Sequence, residues 1–282
     1  FQGAAFDSNS NKIIIAYMDA GNSEHGTAIV GTVNNSDNSI SFGSEVVFQN
    51  SAIRDDAVGM SVVFDSNVNR VVICYRDNNY KGSAIVGTVS GTSISFGTAV
   101  VFSDASTDGI SAAFDSNVNK VVGTVDSSDN SISFGSEAAL ANTNVSESKS
   151  TVFDSSSNKI VVSYGNTSNS TIGTSVVGTI SGTNISFGTP AAFNATAVAN
   201  VKAAFDNSSN KVVVFYQDSG NSSKGTSVVG TVSGTGISFG TPVVFETSAT
   251  NYFGATFDSV NNRAIVAYQI SGSCRVSAGS VS

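Results

Sequence analysis

The chain has 282 residues, a formal net charge of −8, and 12% charged against 40% hydrophobic residues. It can bury a sizeable core, but it lacks the basic excess that nucleic acids and anionic membranes require. No apolar run approaches the roughly 20 residues that span a bilayer, and no secretory leader is visible.

Ser, Thr, Asn and Gly supply the polar surface, and Val, Ile, Phe and Thr favour strands, so an all-β chain is expected. It has no initiator Met and begins inside a recurring pattern, as a processed chain or a piece of something longer would. The pair Phe6-Asp7 opens the stretch Asp7-Ser8-Asn9-Ser10-Asn11. This fits the first half of a calcium loop, but a full loop needs a central Gly and a distal bidentate Glu, and Lys12 follows directly. An Asx turn is the expected reading, the carboxylate accepting backbone N–H groups. No metal or cofactor is expected. Ile13-Ile14-Ile15 reads as a strand covered on both faces, since a half-exposed strand would alternate. A polar loop with the single histidine, His25, leads to Ala28–Val33, and Ser41-Phe42-Gly43 follows.

The next linker, from Phe48 to Phe64, spans 16 residues against 12 in three other repeats, and it carries Arg54-Asp55-Asp56. The second repeat contains Cys74 and, in its polar loop, Asp77, Tyr80 and Lys81. Cys74 and Cys274 occupy positions where sister repeats hold ordinary strand residues. For that reason they are read as small hydrophobic fillers; a disulfide-rich scaffold is excluded and zinc-ligand spacing is absent. The third repeat runs from Val121-Val122 straight into Gly123-Thr124-Val125. It lacks the end of a second strand, a loop and the start of a third. Either this repeat is genuinely short or a stretch is omitted there, and the omission is the expected reading, since deleting a central strand would expose both neighbours' apolar faces.

The fifth repeat parses completely. Val201–Phe205, Lys211–Tyr216 and Thr226–Val232 are its first three strands, and Ile237–Phe245 is a fourth interrupted at Gly240 and Pro242. Pro cannot donate to a ladder and Gly weakens one, so this is an outer strand. The sixth repeat stops at Ser282 after its third strand, as if cut from a longer chain.

Phe-Asp recurs at Phe6, Phe64, Phe114, Phe153, Phe205 and Phe257, and Ser-Phe-Gly recurs with Phe at 42, 96, 134, 187 and 239. Six units of four antiparallel strands, central strands covered and outer strands polar, point to one domain over 1–282, a six-bladed β-propeller. Its blades run approximately 3–53, 54–104, 109–141, 148–195, 199–248 and 252–282. A β-solenoid is the alternative, although the short Asn/Ser/Gly turns specify hairpins.

No enzyme is expected. His25 stands where sister loops carry Lys81 and Lys224, with no second group to orient it. Glu45 and Glu137 share an exposed outer-strand position and are not a catalytic pair. Of seven Tyr, those at 17, 75, 164, 216 and 268 share an interior second-strand position, leaving Tyr80 and Tyr252 in loops. The one–two and three–four turns belong on one end of the blades and are monotonous. The two–three loops and linkers share the other end and vary, as functional loops do. The candidate contact residues on that end are Arg54, Asp55, Asp56, Asp77, Tyr80, Lys81 and Tyr252.

Ala28-Ile29-Val30-Gly31-Thr32-Val33, Ser90-Gly91-Thr92-Ser93-Ile94-Ser95-Phe96-Gly97-Thr98 and Asn210-Lys211-Val212-Val213-Val214 resemble a repeat of viral structural proteins. These are long marine phage proteins, especially cyanophage appendage or tail-fibre components, and related repeats resemble parts of bacterial surface proteins. The resemblance covers essentially the whole chain. It implies a structural or receptor-contact propeller on an extracellular particle, its partners being other particle proteins or a host-surface receptor or glycan. The alternative is a secreted or cell-surface carbohydrate-binding module, a lectin or adhesin.

Overall fold

A computed structural model describes residues 2–53, 60–107, 109–115, 123–140 and 144–281. The chain forms two compact units, Phe1–Glu137 and Ala138–Ser282.

In the first unit, Gln2–Asp7, Lys12–Asp19 and His25–Val33 pair in sequence as an antiparallel sheet. Two short strands, Ile40–Phe42 and Val46–Ala52, both pair with His25–Val33, one on each half of it. The fourth strand of the repeat is therefore broken in two along one partner. The second repeat repeats this plan with Met60–Asp65, Arg70–Arg76, Lys81–Ser90, Ser93–Phe96 and Val100–Ser106. Of the third, the strands described are the hairpin Gly123–Asp126 with Ser131–Phe134. The expected gap at Val121-Val122 lies outside the described residues.

The second unit carries the same plan through the fourth and fifth repeats. The break expected at Gly240 and Pro242 separates Gly236–Phe239 from Val243–Ala249, and both pair with Lys224–Ser233. One difference is informative. The expected first strand Val201–Phe205 is the end of a 16-residue strand, Ala191–Asp206. Its front half closes the fourth repeat's sheet against Ile172–Ser181, and its back half opens the fifth against Lys211–Asp218. The linker is thus extended chain, kept on course by register shifts. The sixth repeat's sheet is Asn251–Asp258, Arg263–Ile270 and Ser273–Gly279.

The apolar second strands explain how neighbouring sheets cohere. Successive side chains of a strand point to opposite faces. Accordingly Val212, Val214 and Tyr216 pack toward Val161 and Val177 of the fourth repeat, while Val213 and Phe215 pack toward Ala264, Val266 and Tyr268 of the sixth. The same interleaving joins Ile14 and Ala16 to Val71, Ile73 and Tyr75 in the first unit. These antiparallel meanders, each stacked on the next within its unit, are blade-like and unlike the parallel ladders of a solenoid. Four of the shared second-strand tyrosines, Tyr75, Tyr164, Tyr216 and Tyr268, are buried as expected, and Tyr17 is half-buried.

Candidate functional site

The two ends of the sheets differ in what they offer. At one end, Asp7 accepts from the backbone N–H groups of Asn9 (2.9 Å) and Ser10 (3.0 Å), and its second oxygen accepts from the Ser10 hydroxyl (2.6 Å). Asp154, Asp206 and Asp258 repeat the arrangement. These are the expected Asx turns, and their carboxylates are engaged by the turn itself.

At the other end, the two–three loops are tied to the linkers. Ile53 N–H donates to the Glu24 carbonyl (2.9 Å), Thr107 N–H to Tyr80 (2.9 Å), Val198 N–H to Thr171 (3.0 Å) and Thr250 N–H to Ser223 (3.0 Å). Three of these loops contain a short 3₁₀ turn, at Ala20–Asn22, Thr167–Asn169 and Ser219–Asn221. The second repeat's loop, between Arg76 and Lys81, has none, and it is where the candidate residues gather.

Asp77 is buried and organises that loop. Its Oδ1 accepts from the N–H groups of Asn79 (2.8 Å) and Lys81 (2.9 Å), and Ser83 Oγ lies 3.4 Å from its Oδ2. Asp19 and Asn166 do the same for sister loops, through Gly21 N–H and Ser168 N–H. Asp77 is thus a loop-forming residue, and the groups around it carry the surface chemistry.

Tyr80 has a left-handed backbone (φ 66°), uncommon for a bulky residue. Its N–H donates to the Asp77 carbonyl and its own carbonyl accepts from Thr107, which together hold that conformation. Tyr80 is 39% exposed, and the Arg76 guanidinium carbon lies 4.5 Å from its ring centroid. This is a cation–π contact made by a buried arginine. Beside it, Lys81 Nζ pairs with Asp104 Oδ1 at 2.7 Å, and that hydrogen bond holds the Lys81 ammonium above its ordinary pKa.

The structure therefore brings Asp77, Tyr80 and Lys81 together and adds two residues that the sequence reading missed, Arg76 and Asp104. Arg76 could have been found: sister repeats place Met18, Gly165, Gln217 and Gln269 at its position, so it is the lone charge there. Tyr252 is in the second unit, 76% exposed and also at positive φ (51°). Arg54, Asp55 and Asp56 lie outside the described residues. His25 begins the first repeat's third strand, in register with Asp19 and Ala52. Glu45 accepts a hydrogen bond from the Tyr17 hydroxyl. Burial and that bond, in this order, raise the Tyr17 pKa. Cys74 and Cys274 are free thiols, and burial pushes Cys74 up to about 12.

No protein family and no curated protein matches the chain in sequence. Among solved structures, AofleA from Arthrobotrys oligospora is similar at 10% identity and a TM-score of 0.59, over 99% of this chain and 86% of that one. The periplasmic gluconolactonase PpgL from Pseudomonas aeruginosa is similar at 11% identity and a TM-score of 0.53, over 98% and 80%. A protein of unknown function from Dyadobacter fermentans is similar at 9% and 0.51, over 99% and 78%. The second of these corrects the expectation that the chain is not an enzyme. An enzyme is built on this fold, and a fold hosts unrelated activities according to its loops, so repeat monotony does not exclude catalysis. At such identities the likenesses establish architecture alone, and with the antiparallel blades described above they make the chain a β-propeller.

Proposed function

We propose that the chain is a carbohydrate-contact propeller and that the second repeat's loop, centred on Tyr80, is the contact surface. The observation that carries this reading is the presentation of Tyr80. The residue is 39% exposed, its ring clamped by the Arg76 guanidinium and flanked by the Lys81–Asp104 pair. An aromatic ring offers area for the C–H face of a sugar and a polar tip, and neighbouring charged groups supply hydrogen bonds to hydroxyls. The clamp lowers the ordering cost of binding, because the ring is already held. PpgL, named as a gluconolactonase, supports the reading by analogy of fold only.

The setting we propose is an extracellular particle or a cell surface. The repeat's resemblance to phage appendage proteins supports it, with a host-surface glycan or receptor as partner.

A glycan array probed with the wild-type chain, Tyr80→Ala and Tyr252→Ala tests the proposal. Binding that free sugar competes away is expected, weakened about tenfold or more by Tyr80→Ala, the equivalent of roughly 1.4 kcal/mol, and unchanged by Tyr252→Ala. Absence of competed binding, or equal binding by Tyr80→Ala, overturns it.

A further inference from the structure

On the first strands, one position ahead of the recurring Phe-Asp is held by Ser61 in the second repeat, Ser150 in the fourth and Lys202 in the fifth. Each of these serine hydroxyls accepts from a backbone N–H of the next repeat, Ala112 at 3.1 Å and Ala203 at 3.0 Å. An ammonium has three donors and no acceptor, so Lys202 cannot make the same link to the sixth repeat. It faces that repeat nonetheless. Lys202 stands directly opposite Phe215, which puts both side chains on one face of the sheet. Phe215 packs there with Phe253, Ala264 and Val266 of the sixth repeat.

Three amides bridge this junction instead. Asn200 Nδ2 donates to Gln217 Oε1 at 3.1 Å, and Gln217 Nε2 donates to Asn251 Oδ1 of the sixth repeat at 3.2 Å. Gln217 stands where the first and fourth repeats carry Met18 and Gly165. Both bonds run the same way, so the amide chain begins with a free acceptor, Asn200 Oδ1, and ends in a free donor, Asn251 Nδ2. Among the described residues neither atom has a partner, and Lys202 makes no hydrogen bond or ion pair. Burial alone shifts Lys202, below its ordinary pKa, with no acidic group offsetting it. Asp218, one residue beyond Gln217 and so on the other face of the strand, accepts from Asn194 and Thr196.

A half-buried ammonium without a counter-charge is costly to desolvate, and an anionic ligand removes that cost. We propose that the junction of the fifth and sixth repeats binds a small hydroxy acid, sugar acids included. The carboxylate takes hydrogen bonds from Lys202 Nζ and Asn251 Nδ2, and a neighbouring hydroxyl donates to Asn200 Oδ1. Charge assistance from the ammonium supplies affinity. The free amide acceptor selects a ligand that carries a hydroxyl beside its acid, because that acceptor repels a second carboxylate. Lys202 and Gln217 sit on paired strands, which fixes the donors before the ligand arrives. The site lies within the second unit and is independent of the Tyr80 surface.

The test is isothermal titration calorimetry at low salt, in the Tyr80→Ala protein so that the glycan surface proposed above does not contribute. The probes are glucuronate, glucose as its uncharged counterpart, and acetate as a carboxylate without hydroxyls. Saturable glucuronate binding is expected, with acetate at least tenfold weaker and glucose giving no saturable heat. Adding Lys202→Met or Asn251→Asp should each weaken glucuronate at least tenfold. Asn251 is exposed, so its variant tests the site without touching the core. In lysine side-chain NMR spectra, glucuronate should raise the pKa of one lysine, whose signal is missing from Lys202→Met. No saturable glucuronate binding overturns the proposal, and so does equal binding by glucose or by either variant. Acetate binding as tightly as glucuronate also overturns it, since the site would then read the carboxylate alone.

Discussion

A Cβ added to Gly188 would stand 1.9 Å from the carbonyl oxygen of Thr235. Gly188 follows the fourth strand of one repeat and Thr235 sits in the three–four turn of the next, so the recurring Ser-Phe-Gly is the mark of a backbone-to-backbone contact between sheets. Gly43 makes the same approach to Thr92. A carbonyl, unlike a flexible side-chain tip, cannot step aside. Gly188→Ala should destabilise the protein by about 1–3 kcal/mol, as overpacking does. Gly240→Ala, at the same repeat position with ordinary contact at 3.8 Å, should stay within about 0.5 kcal/mol. Urea unfolding of the two variants checks this, and equal losses would remove the contact as the reason for the glycine.

A second contact between sheets satisfies backbone that the first strands leave unpaired. Ser150 Oγ accepts from the N–H of Ala203, at 3.0 Å in a buried setting, and Ser61 Oγ accepts from Ala112 N–H in the first unit. Removing the hydroxyl strands a buried donor, which costs roughly 1–3 kcal/mol. Ser150→Ala should therefore lower the unfolding free energy by that amount and speed amide exchange at Ala203. Unchanged exchange there would show that another acceptor takes over.

The shared second-strand tyrosines separate into two kinds. Tyr75 donates to Gln49 Oε1 at 3.1 Å, whereas the buried hydroxyls of Tyr164 and Tyr216 have no hydrogen-bond partner among the described residues. An unsatisfied buried hydroxyl opposes folding, and its removal leaves the packing against Phe193 in place. Tyr216→Phe should be neutral or stabilising, and Tyr75→Phe should lose about 0.5–1.5 kcal/mol. Thermal melts that show the reverse order would mean that Tyr216 is satisfied by bound solvent.

The contrast between the sheets and the loops shows what the sequence made legible. The four-strand plan, the Asx turns at Asp7 and Asp206, and the broken outer strand at Gly240 and Pro242 were readable, because each rests on a local rule of backbone chemistry. The continuous strand through Asn194–Asn200 was not. That segment reads as a polar linker, and its extension depends on pairing with Ile172–Ser181 and Lys211–Asp218 on opposite sides. Nor was the Arg76–Tyr80 stack, which depends on a left-handed backbone that tyrosine does not signal. Asp77 was singled out because it lies in a variable two–three loop, yet its loop role is shared by Asp19 and Asn166. Repetition that holds its type across sisters points to architecture, and departure from it, as at Arg76, points to surface chemistry.

Lys202 is such a departure, a half-buried lysine on the first strand at the place Ser61 and Ser150 hold in theirs. Burial lowers its pKa below the ordinary 10.5. Between that lowered value and 10.5 the unfolded chain binds more protons than the folded one, so this group's contribution to stability rises with pH through the window. Other groups pull the alkaline profile the opposite way. Burial raises Cys74 from 9.0 to about 12, and burial, aided by Asp77 for Tyr75 and by Asp218 for Tyr216, raises both tyrosines above 10.0. For these the folded state holds the extra proton, and stability falls as pH climbs past the unfolded values. The net profile mixes both signs, so the informative quantity is the difference between wild type and Lys202→Met across alkaline pH. Wild type should gain on the variant as pH rises toward 10.5 and hold a constant offset beyond it. A difference independent of pH from 7 to 11 in denaturant titrations would show that Lys202 keeps its charge on folding.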